Sequence, residues 1–269
     1  MSNSWRIIDT GPCTASLNMA LDEAIATSVR QGVSPPTLRI YGWRQHAVSI
    51  GYFQSSEDLD IGYCRKNSIH MVRRPTGGRA VFHNDELTYS FSVQTKTGIF
   101  SRGLFDSYKK ISSALALALS KAGLSPQSMK RKPGLKSKAQ SAKFSNPLCF
   151  RSVSFGEISV DNIKVIGSAQ KRWADGLLQQ GSIPFTVDED RGMKLFQRNN
   201  VHFRKAPLIG LRQIAPSLSY DALKNTIRTA FEETFQIQLI SSVPSQEELS
   251  LAHTLDAQKY LDDAWTFRK

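Results

Sequence analysis

Arg73-Arg74-Pro75-Thr76-Gly77-Gly78-Arg79 sets two adjacent glycines among cations and joins two β-prone stretches, His70-Met71-Val72 and Ala80-Val81-Phe82. Glycine permits φ > 0 and lets the backbone approach a ligand where a Cβ would intrude. Arginines on both sides point to a ligand with an anionic or strongly polar group. The same residues also make an ordinary tight turn with surface arginines, because Gly-Gly between strands is a common hairpin signal. His83 follows the second strand and has two open readings: a structural histidine, or one that orients the turn or relays a proton. Lys164 sits in Lys164-Val165-Ile166-Gly167-Ser168-Ala169, where its type alone reads as an exposed strand lysine. The three cysteines, Cys13, Cys64 and Cys149, form no metal-type cluster and leave an odd thiol under any pairing. Free thiols in a reducing compartment are the default, and a lone cysteine is usually a small buried apolar residue.

These residues need a scaffold, and the hydrophobic pattern supplies one. Trp5 to Asp9 reads as a strand. Thr14 N-caps a helix to about Arg30, with Leu17, Ala20, Leu21, Ala24, Ile25 and Val29 at helical spacing and Gly32 as the stop. Thr37 to Trp43 and Ala47 to Gly51 read as paired strands, and Ser56 to Lys66 as a short helix carrying Cys64. Leu87 to Val93 alternates as a strand, and Phe105 to Ala122 is an amphipathic helix ended by Gly123. Val153 to Val160 and Ile163 to Ser168 predict a hairpin around Asp161-Asn162, with a third strand at Gly176 to Phe185. Helices are expected at Val187 to Arg198, Tyr220 to Phe235 and Ser245 to Asp262. Strands first and helices last give an α+β class, with a mixed or antiparallel central sheet flanked by helices.

The 269 residues suffice for one domain spanning 1–269, with a helical C-terminal segment at 219–269. Residues 128–147 break the pattern: Lys130, Arg131, Lys132, Lys136, Lys138 and Lys143 fall among Ser, Pro and Gly without hydrophobic periodicity. That composition predicts a basic flexible loop, either a solvated insertion or a functional one. A 40% hydrophobic and 22% charged composition is ordinary for a globular protein. No apolar run approaches the ~20 residues of a membrane span. The N-terminus runs into a strand-like segment, so no secretory signal and a cytoplasmic location are expected. The net charge of +12 favours acidic partners, nucleic acid and acidic carrier proteins alike.

Asn18-Met19-Ala20-Leu21-Asp22-Glu23-Ala24, Pro36 to Trp43, Ser49-Ile50-Gly51-Tyr52-Phe53-Gln54, Arg73 to His83, Asp85 to Ser90 and Lys164 to Gln170 occur together in order. This set resembles the lipoate/biotin-protein ligase and octanoyltransferase superfamily from about Trp5 to Phe267, and most resembles its LipM-type octanoyltransferase branch. The resemblance implies the catalytic-domain fold of that superfamily. Three features favour the transferase branch over the ATP-using lipoate ligases. The turn reads Gly77-Gly78-Arg79 where the ligases usually have three glycines. Cys149 falls where the transferases place their nucleophile. The chain is expected to end soon after Asp263-Ala264-Trp265, without an accessory domain. One departure is Asn84, which follows His83 where an acidic residue is common.

The implied reaction moves an octanoyl group from acyl carrier protein to a lysine of a lipoyl-domain protein, such as the glycine cleavage H protein. A thioester donor is already activated, so no nucleotide or other cofactor is expected. Cys149 is the implied nucleophile, and Lys164 the cation that lowers its pKa and holds the oxyanion. Arg74, Thr76, Gly77, Gly78, Arg79 and His83 would wall the acyl pocket together with Gly167, Ser168 and Ala169. Val81-Phe82 and Val165-Ile166 are expected to line the tail. The alternatives are an ATP-dependent lipoate-protein ligase and an amidotransferase working between lipoyl domains. A nucleic-acid-binding role is disfavoured, because no recognition helix or aromatic-studded sheet accompanies the cations.

Overall fold

The computed structural model describes residues 4–96, 98–128, 158–196 and 209–268. In chain order these form β1 (Ser4–Cys13), α1 (Ala15–Arg30), β2 (Thr37–Trp43), β3 (Ala47–Ile50), α2 (Ile61–Lys66), β4 (His70–Arg73), β5 (Val81–His83), β6 (Glu86–Gln94) and α3 (Leu104–Lys121). There follow β7 (Pro126–Ser128), β8 (Ile158–Val160), β9 (Ile163–Arg172), β10 (Gly176–Pro184), α4 (Glu189–Lys194), α5 (Leu211–Ile214), α6 (Tyr220–Phe235), β11 (Gln238–Ser242), α7 (Gln246–Leu255) and α8 (Asp263–Thr266). Among the described residues, no helix is long and apolar enough to cross a membrane.

An eight-stranded mixed sheet runs β11-β1-β2-β6-β10-β9-β8-β7, and a three-stranded sheet runs β4-β3-β5. The α+β class with a mixed central sheet is therefore as expected. Strand alternation gives the large sheet two different faces. Leu38, Ile40, Tyr89, Phe91 and Ile183 join Ile111, Leu115, Ile227 and Phe231 in the main core beneath α3 and α6. The opposite face carries Arg39, Tyr41, Trp43, Thr88, Ser90, Gln180 and Ser182, and α1 packs on it with α7 behind. The local signals behind α1 are the expected ones: Thr14 Oγ1 accepts from Leu17 N–H, and Gly32 takes φ +78. Asp161 and Asn162 take φ 49 and 61, the left-handed pair that a two-residue hairpin turn requires.

Long-range pairing corrects several local expectations. β2 and β3 are not partners: β2 lies between β1 and β6, and β3 between β4 and β5. The Gly-Gly segment is likewise no hairpin turn, because β3 separates the strands it connects. The helix expected over 56–66 is a 3₁₀ turn at Ser56–Asp58 followed by α2. The one expected over 187–198 is only α4, N-capped by Asp188, and residues 197–198 lie outside the described set. The C-terminal segment 219–269 is not wholly helical: Gln236 turns left-handed at φ 52, and the next residues pair with β1 as β11. α7 runs on into a π-helical turn, Asp256–Tyr260.

Candidate active site

The two sheets face each other across a cleft of about 360 Å³, counting space open to solvent. Ser49, Val81 and His83 come from the small sheet; Trp43, Thr88, Gly167, Ala169, Gln180 and Ser182 come from the large one. Tyr41, Arg74, Ser168, Gly181 and Met19 of α1 complete the lining. Of the expected wall, Arg74, His83, Gly167, Ser168 and Ala169 thus meet around one space. Thr76, Gly77, Gly78 and Arg79 stand beside it in the segment that crosses its end.

That segment is built by close backbone approach. It carries the chain from β4 over the end of β3 to β5, with Arg74 N–H donating to Ile50 C=O at 3.0 Å and Tyr52 N–H to Thr76 C=O at 2.9 Å. A Cβ on Gly51 would lie 1.8 Å from Gly78 O, so position 51 must be glycine for the crossing to fit. Gly78 takes φ +87 and lies against Ala169 of β9, whose Cβ would be 3.6 Å from a Cβ at 78.

Two of the arginines, Arg73 and Arg74, donate to backbone carbonyls. Arg74 is 5% exposed, and its guanidinium donates to the carbonyls of Gly77, Arg79 and Ser49 at 2.7, 2.7 and 2.9 Å. Arg73 is 1% exposed and donates to the carbonyls of Gly51, Gln54, Thr266 and Arg268 at 2.7–3.1 Å. Burial lowers the Arg73 pKa. Turns and chain ends bristle with unpaired carbonyls, and a five-donor guanidinium can satisfy several at once. Arg74 therefore shapes the crossing segment, and Arg73 ties the C-terminal residues Thr266 and Arg268 to Gly51 and Gln54.

Two buried polar networks fix the walls. Asp22 of α1 is fully buried; its carboxylate accepts from Arg39 Nη1 (2.7 Å), Tyr41 Oη (2.8 Å), Ser90 Oγ (2.6 Å) and Gln180 Nε2 (2.7 Å). Burial first, then the Asp22 charge, raises the Tyr41 phenol well above its ordinary pKa. Gln180 Oε1 accepts from Thr76 Oγ1 at 2.7 Å, so the network runs from α1 through β10 into the crossing segment. In the second network Glu86 accepts from Trp43 Nε1 (3.1 Å), Ser182 Oγ (2.8 Å) and Thr88 Oγ1. His83 Nδ1 lies 2.9 Å from Glu86 Oε1, and its Nε2 2.7 Å from Ser49 Oγ. The assignment that satisfies every group has Nδ1–H donating to Glu86 and Nε2 accepting from Ser49, whose oxygen accepts from Arg74 at 3.1 Å. The imidazole is stacked on Trp43, ring centroids 3.7 Å apart. Both nitrogens of His83 are thus engaged in the deep wall.

Lys164 reaches the cleft side of the sheet through an irregularity. Strict alternation would put it opposite Gly167, three residues on. The β8–β9 register shifts instead, pairing Ile158 with Ile166 but Ser159 with Lys164, which leaves Val165 as an extra residue. Val165 and Ile166 both enter the core under α3, with Ile158 and Val160. Lys164, paired with Ser159, therefore shares the face of Gly167 and Ala169 and is 5% exposed. Bulges commonly re-aim a functional side chain in this way. The same finding revises the tail lining: Val81 borders the cleft, whereas Val165 and Ile166 belong to the main core.

Cys149 and the basic stretch 128–147, apart from the backbone of residue 128, lie outside the described residues. Cys13 and Cys64 are free. Burial, with the Asp60 charge adding to it, pushes the Cys64 thiol up to about 11, so this sulfur is no nucleophile at neutral pH.

A cationic, aromatic rim was not legible from the residue order. Lys171 of β9 sits with its Nζ 4.8 Å from the ring centroids of both Tyr52 and Trp173. Arg268 stacks on Tyr52 and Trp265 at 4.0 and 3.9 Å. Burial lowers the Lys171 pKa, while Arg268, by hydrogen bond and charge, lowers that of Tyr52. Lys171 shares the face of Ala169 and stands two residues, about 7 Å, along the strand from it. Phe53, 89% exposed, projects beside this rim. Residues 52, 171 and 268 are joined only by the fold, so no spacing rule could have found them.

Residues 14–232 match the family described as Lipoyl protein ligase A/B catalytic domain. The chain is 33% identical over 280 residues to Octanoyltransferase LipM of Bacillus subtilis, covering 99% of both chains. It is 34% identical over 274 residues to Octanoyltransferase LipM of Carboxydothermus hydrogenoformans, covering 98% of this chain and 99% of that one. Among solved structures it resembles lipoate-protein ligase A bound with ATP, with TM-score 0.79, 23% identity and 99% of each chain covered. A bipartite lipoate protein ligase of Thermoplasma acidophilum superposes with TM-score 0.80 at 23% identity, over 98% of this chain and 96% of that one. The structural likenesses establish the fold; the LipM relatives carry the functional information.

Proposed function

This chain belongs to the lipoyl protein ligase A/B catalytic-domain family, and we propose that it moves an octanoyl group from acyl carrier protein to a lysine of a lipoyl-domain protein. It is an acyltransferase, an octanoyltransferase of lipoate biosynthesis. The observation that carries this reading is the full-length similarity to LipM octanoyltransferases. The cleft supports it physically. Its walls are carbon-rich or have their polar groups satisfied, and each buried methylene of an acyl tail contributes about 0.8 kcal/mol.

The proposed chemistry proceeds in two acyl transfers. The Cys149 thiolate attacks the thioester carbonyl, the C–S bond to the carrier breaks, and the carrier leaves as a thiolate that takes up a proton. A neutral lysine amine of the acceptor then attacks the S-octanoyl carbonyl. The amide forms, the amine loses a proton, and the Cys149 thiolate is regenerated. The Lys164 ammonium stabilises the oxyanion of both tetrahedral intermediates. No nucleotide enters, since a thioester to amide transfer runs downhill.

A donor comparison tests the reaction. The enzyme and a lipoyl-domain acceptor are incubated with octanoyl carrier protein, with an octanoylated lipoyl-domain protein, or with free lipoate plus ATP, and acceptor mass is followed. Octanoylation from carrier protein is expected. Pyrophosphate release with lipoate and ATP, and no transfer from carrier, would identify a ligase instead. Transfer only from the octanoylated lipoyl-domain protein would identify an amidotransferase.

The net charge of +12 and the rim around Lys171 support an acidic protein partner. Lys171→Glu is expected to lower kcat/KM for octanoyl carrier protein about three- to tenfold at low salt, less as salt rises. The rate with octanoyl-pantetheine should change less than about twofold, because that small thioester has no acidic domain to steer. Equal losses on both donors would show that Lys171 acts within the acyl cleft instead. Charge reversal of Lys130, Arg131 and Lys132 has the same expected signature.

A further inference from the structure

The cleft wall formed by the large sheet crosses its strands, from Gly167 and Ala169 on β9 through Gln180 and Ser182 on β10 and Thr88 on β6 to Tyr41 and Trp43 on β2. Three strand spacings span about 14 Å, which exceeds the roughly 9 Å of an extended octanoyl chain. A tail laid across the strands, with its carbonyl on the β9 side where Lys164 lies, leaves the rest of the donor to run along β9. Lys171 stands on that path. It shares the face of Gly167 and Ala169, and its Nζ rests 4.8 Å from the ring centroids of Tyr52 and Trp173. Tyr52 N–H donates to Thr76 C=O at 2.9 Å, so this rim adjoins the crossing segment. The rim carries positive charge without a counter-ion. The charge of Glu23 reaches Lys171, but its carboxylate is taken by Lys259 at 2.6 and 2.8 Å and by Tyr260. Arg30 is likewise paired with Asp175 at 2.8 Å. Among the described residues, neither Lys171 nor Arg268 forms an ion pair.

Both cations are nevertheless held in place. Lys171 lies against two rings, and Arg268 stacks on Tyr52 and Trp265 at 4.0 and 3.9 Å. Arg268 Nη2 donates to Tyr52 C=O at 3.1 Å, and Arg73 donates to Arg268 C=O at 2.9 Å. Half-buried, positioned cations with no counter-ion make an anion site. We propose that Lys171 and Arg268 bind the phosphodiester of the prosthetic arm that carries the octanoyl thioester on acyl carrier protein. This rests on the acyl-transfer reading above and adds to it where the donor's arm is held. The lengths agree. From thioester carbonyl to phosphorus an extended pantetheine arm spans about 17 Å. Lys164 and Lys171, with the bulge at Val165 taking up one step, stand about 20 Å apart along β9. The two lysine side chains cover the difference. The carrier's own carboxylates sit on its folded domain, at a distance from the thioester that the flexible arm does not fix. The acceptor lysine brings no such anion, so the rim distinguishes donor from acceptor.

The experiment compares kcat/KM for two small donors, octanoyl-pantetheine and its methyl phosphodiester, which differ only in the anion. A lipoyl-domain protein is the acceptor, at low salt. In the unmodified enzyme the phosphodiester is expected to be preferred about tenfold or more, as hydrogen bonds to a charged group allow. Lys171→Met, which keeps the contact with the rings, should cut that preference about threefold or more. Lys171→Met combined with Arg268→Met should bring it within about twofold of unity. Lys171→Arg keeps the charge and should retain most of the preference. The ratio is internal to each variant, so a general loss of activity cancels. In the unmodified enzyme, pantetheine methyl phosphodiester without an acyl group should also compete with the donor about tenfold more strongly than pantetheine does. Equal kcat/KM for the two small donors in the unmodified enzyme overturns the proposal. Salt-sensitive preference for intact carrier protein would then assign the rim to carboxylates on the carrier's surface. A preference for the phosphodiester that survives the double variant also overturns it. Failure of the acyl-transfer reading looks different: neither the small donors nor octanoyl carrier protein would then octanoylate the acceptor.

Discussion

Cys149→Ala is expected to lower octanoyl transfer from carrier protein by more than about 10³-fold and to abolish an S-octanoyl adduct that intact-mass measurement detects in the unmodified enzyme. The size of the effect follows from the chemistry. Without the thiolate, the acceptor amine must attack the carrier thioester directly, and the two bulky partners must reach one site together. Lys164→Met is expected to retain the adduct but to slow both its formation and its discharge about 10²-fold, as loss of an oxyanion donor does. The two variants also differ in pH dependence. A free cysteine titrates near ~8.5 and a nearby ammonium lowers this; on the proposed mechanism Lys164 is that ammonium, and its removal is expected to raise the thiol pKa. The thiolate fraction at neutral pH falls, and the acid limb of kcat/KM moves to higher pH. Lys164→Arg keeps the charge and should restore most of the limb's position, though less of the rate. Transfer that persists in Cys149→Ala without an adduct would sink the covalent route and leave direct attack.

The cleft explains why some of this could be read in the sequence and some could not. Local rules sufficed where one residue decides a conformation. Thr14 caps α1, Asp161-Asn162 turns the β8–β9 hairpin, and Gly32 and Gly123 take positive φ after their helices. They failed where the outcome depends on which strand slips between two others. The interposition of β3 turns an apparent Gly-Gly hairpin into a crossing, and that crossing consumes Arg74. Similarly, alternation around Lys164 gives the wrong face, and only the pairing of Ser159 with Lys164 reveals the bulge. The residues quoted together with the glycine turn prove to be physically linked: Asp22, Arg39 and Thr76 belong to one network, and Trp43, Ser49, His83 and Glu86 to the other. Gln180 and Ser182, which tie both networks to β10, carry no signal of their own in the sequence.

The first network gives the largest expected effect on stability. Asp22→Ala is expected to cost about 3–5 kcal/mol in denaturant unfolding, a drop of about 10 °C in Tm. Both side chains of the Asp22–Arg39 pair are fully buried, 2.7 Å apart. Removing the carboxylate leaves a guanidinium without its counter-charge in a low-dielectric site, although Asn18 and Thr10 still accept from it. It also strips acceptors from Tyr41, Ser90 and Gln180, and unmet buried donors add about 1–3 kcal/mol each where they find no water. A double replacement, Asp22→Leu with Arg39→Met, removes charge and counter-charge together and should recover much of the loss. It will not recover function in step, because Gln180 no longer has its partner and Thr76 is then held by an amide free to turn. Thr76→Val isolates that last link. It should cost only about 1 kcal/mol of stability yet raise KM for the octanoyl donor, since the crossing segment over the cleft loses its tie to β10. If Thr76→Val left KM unchanged while Asp22→Ala raised it, the network would act on the cleft through α1 and Met19, and the tie through Gln180 would be incidental.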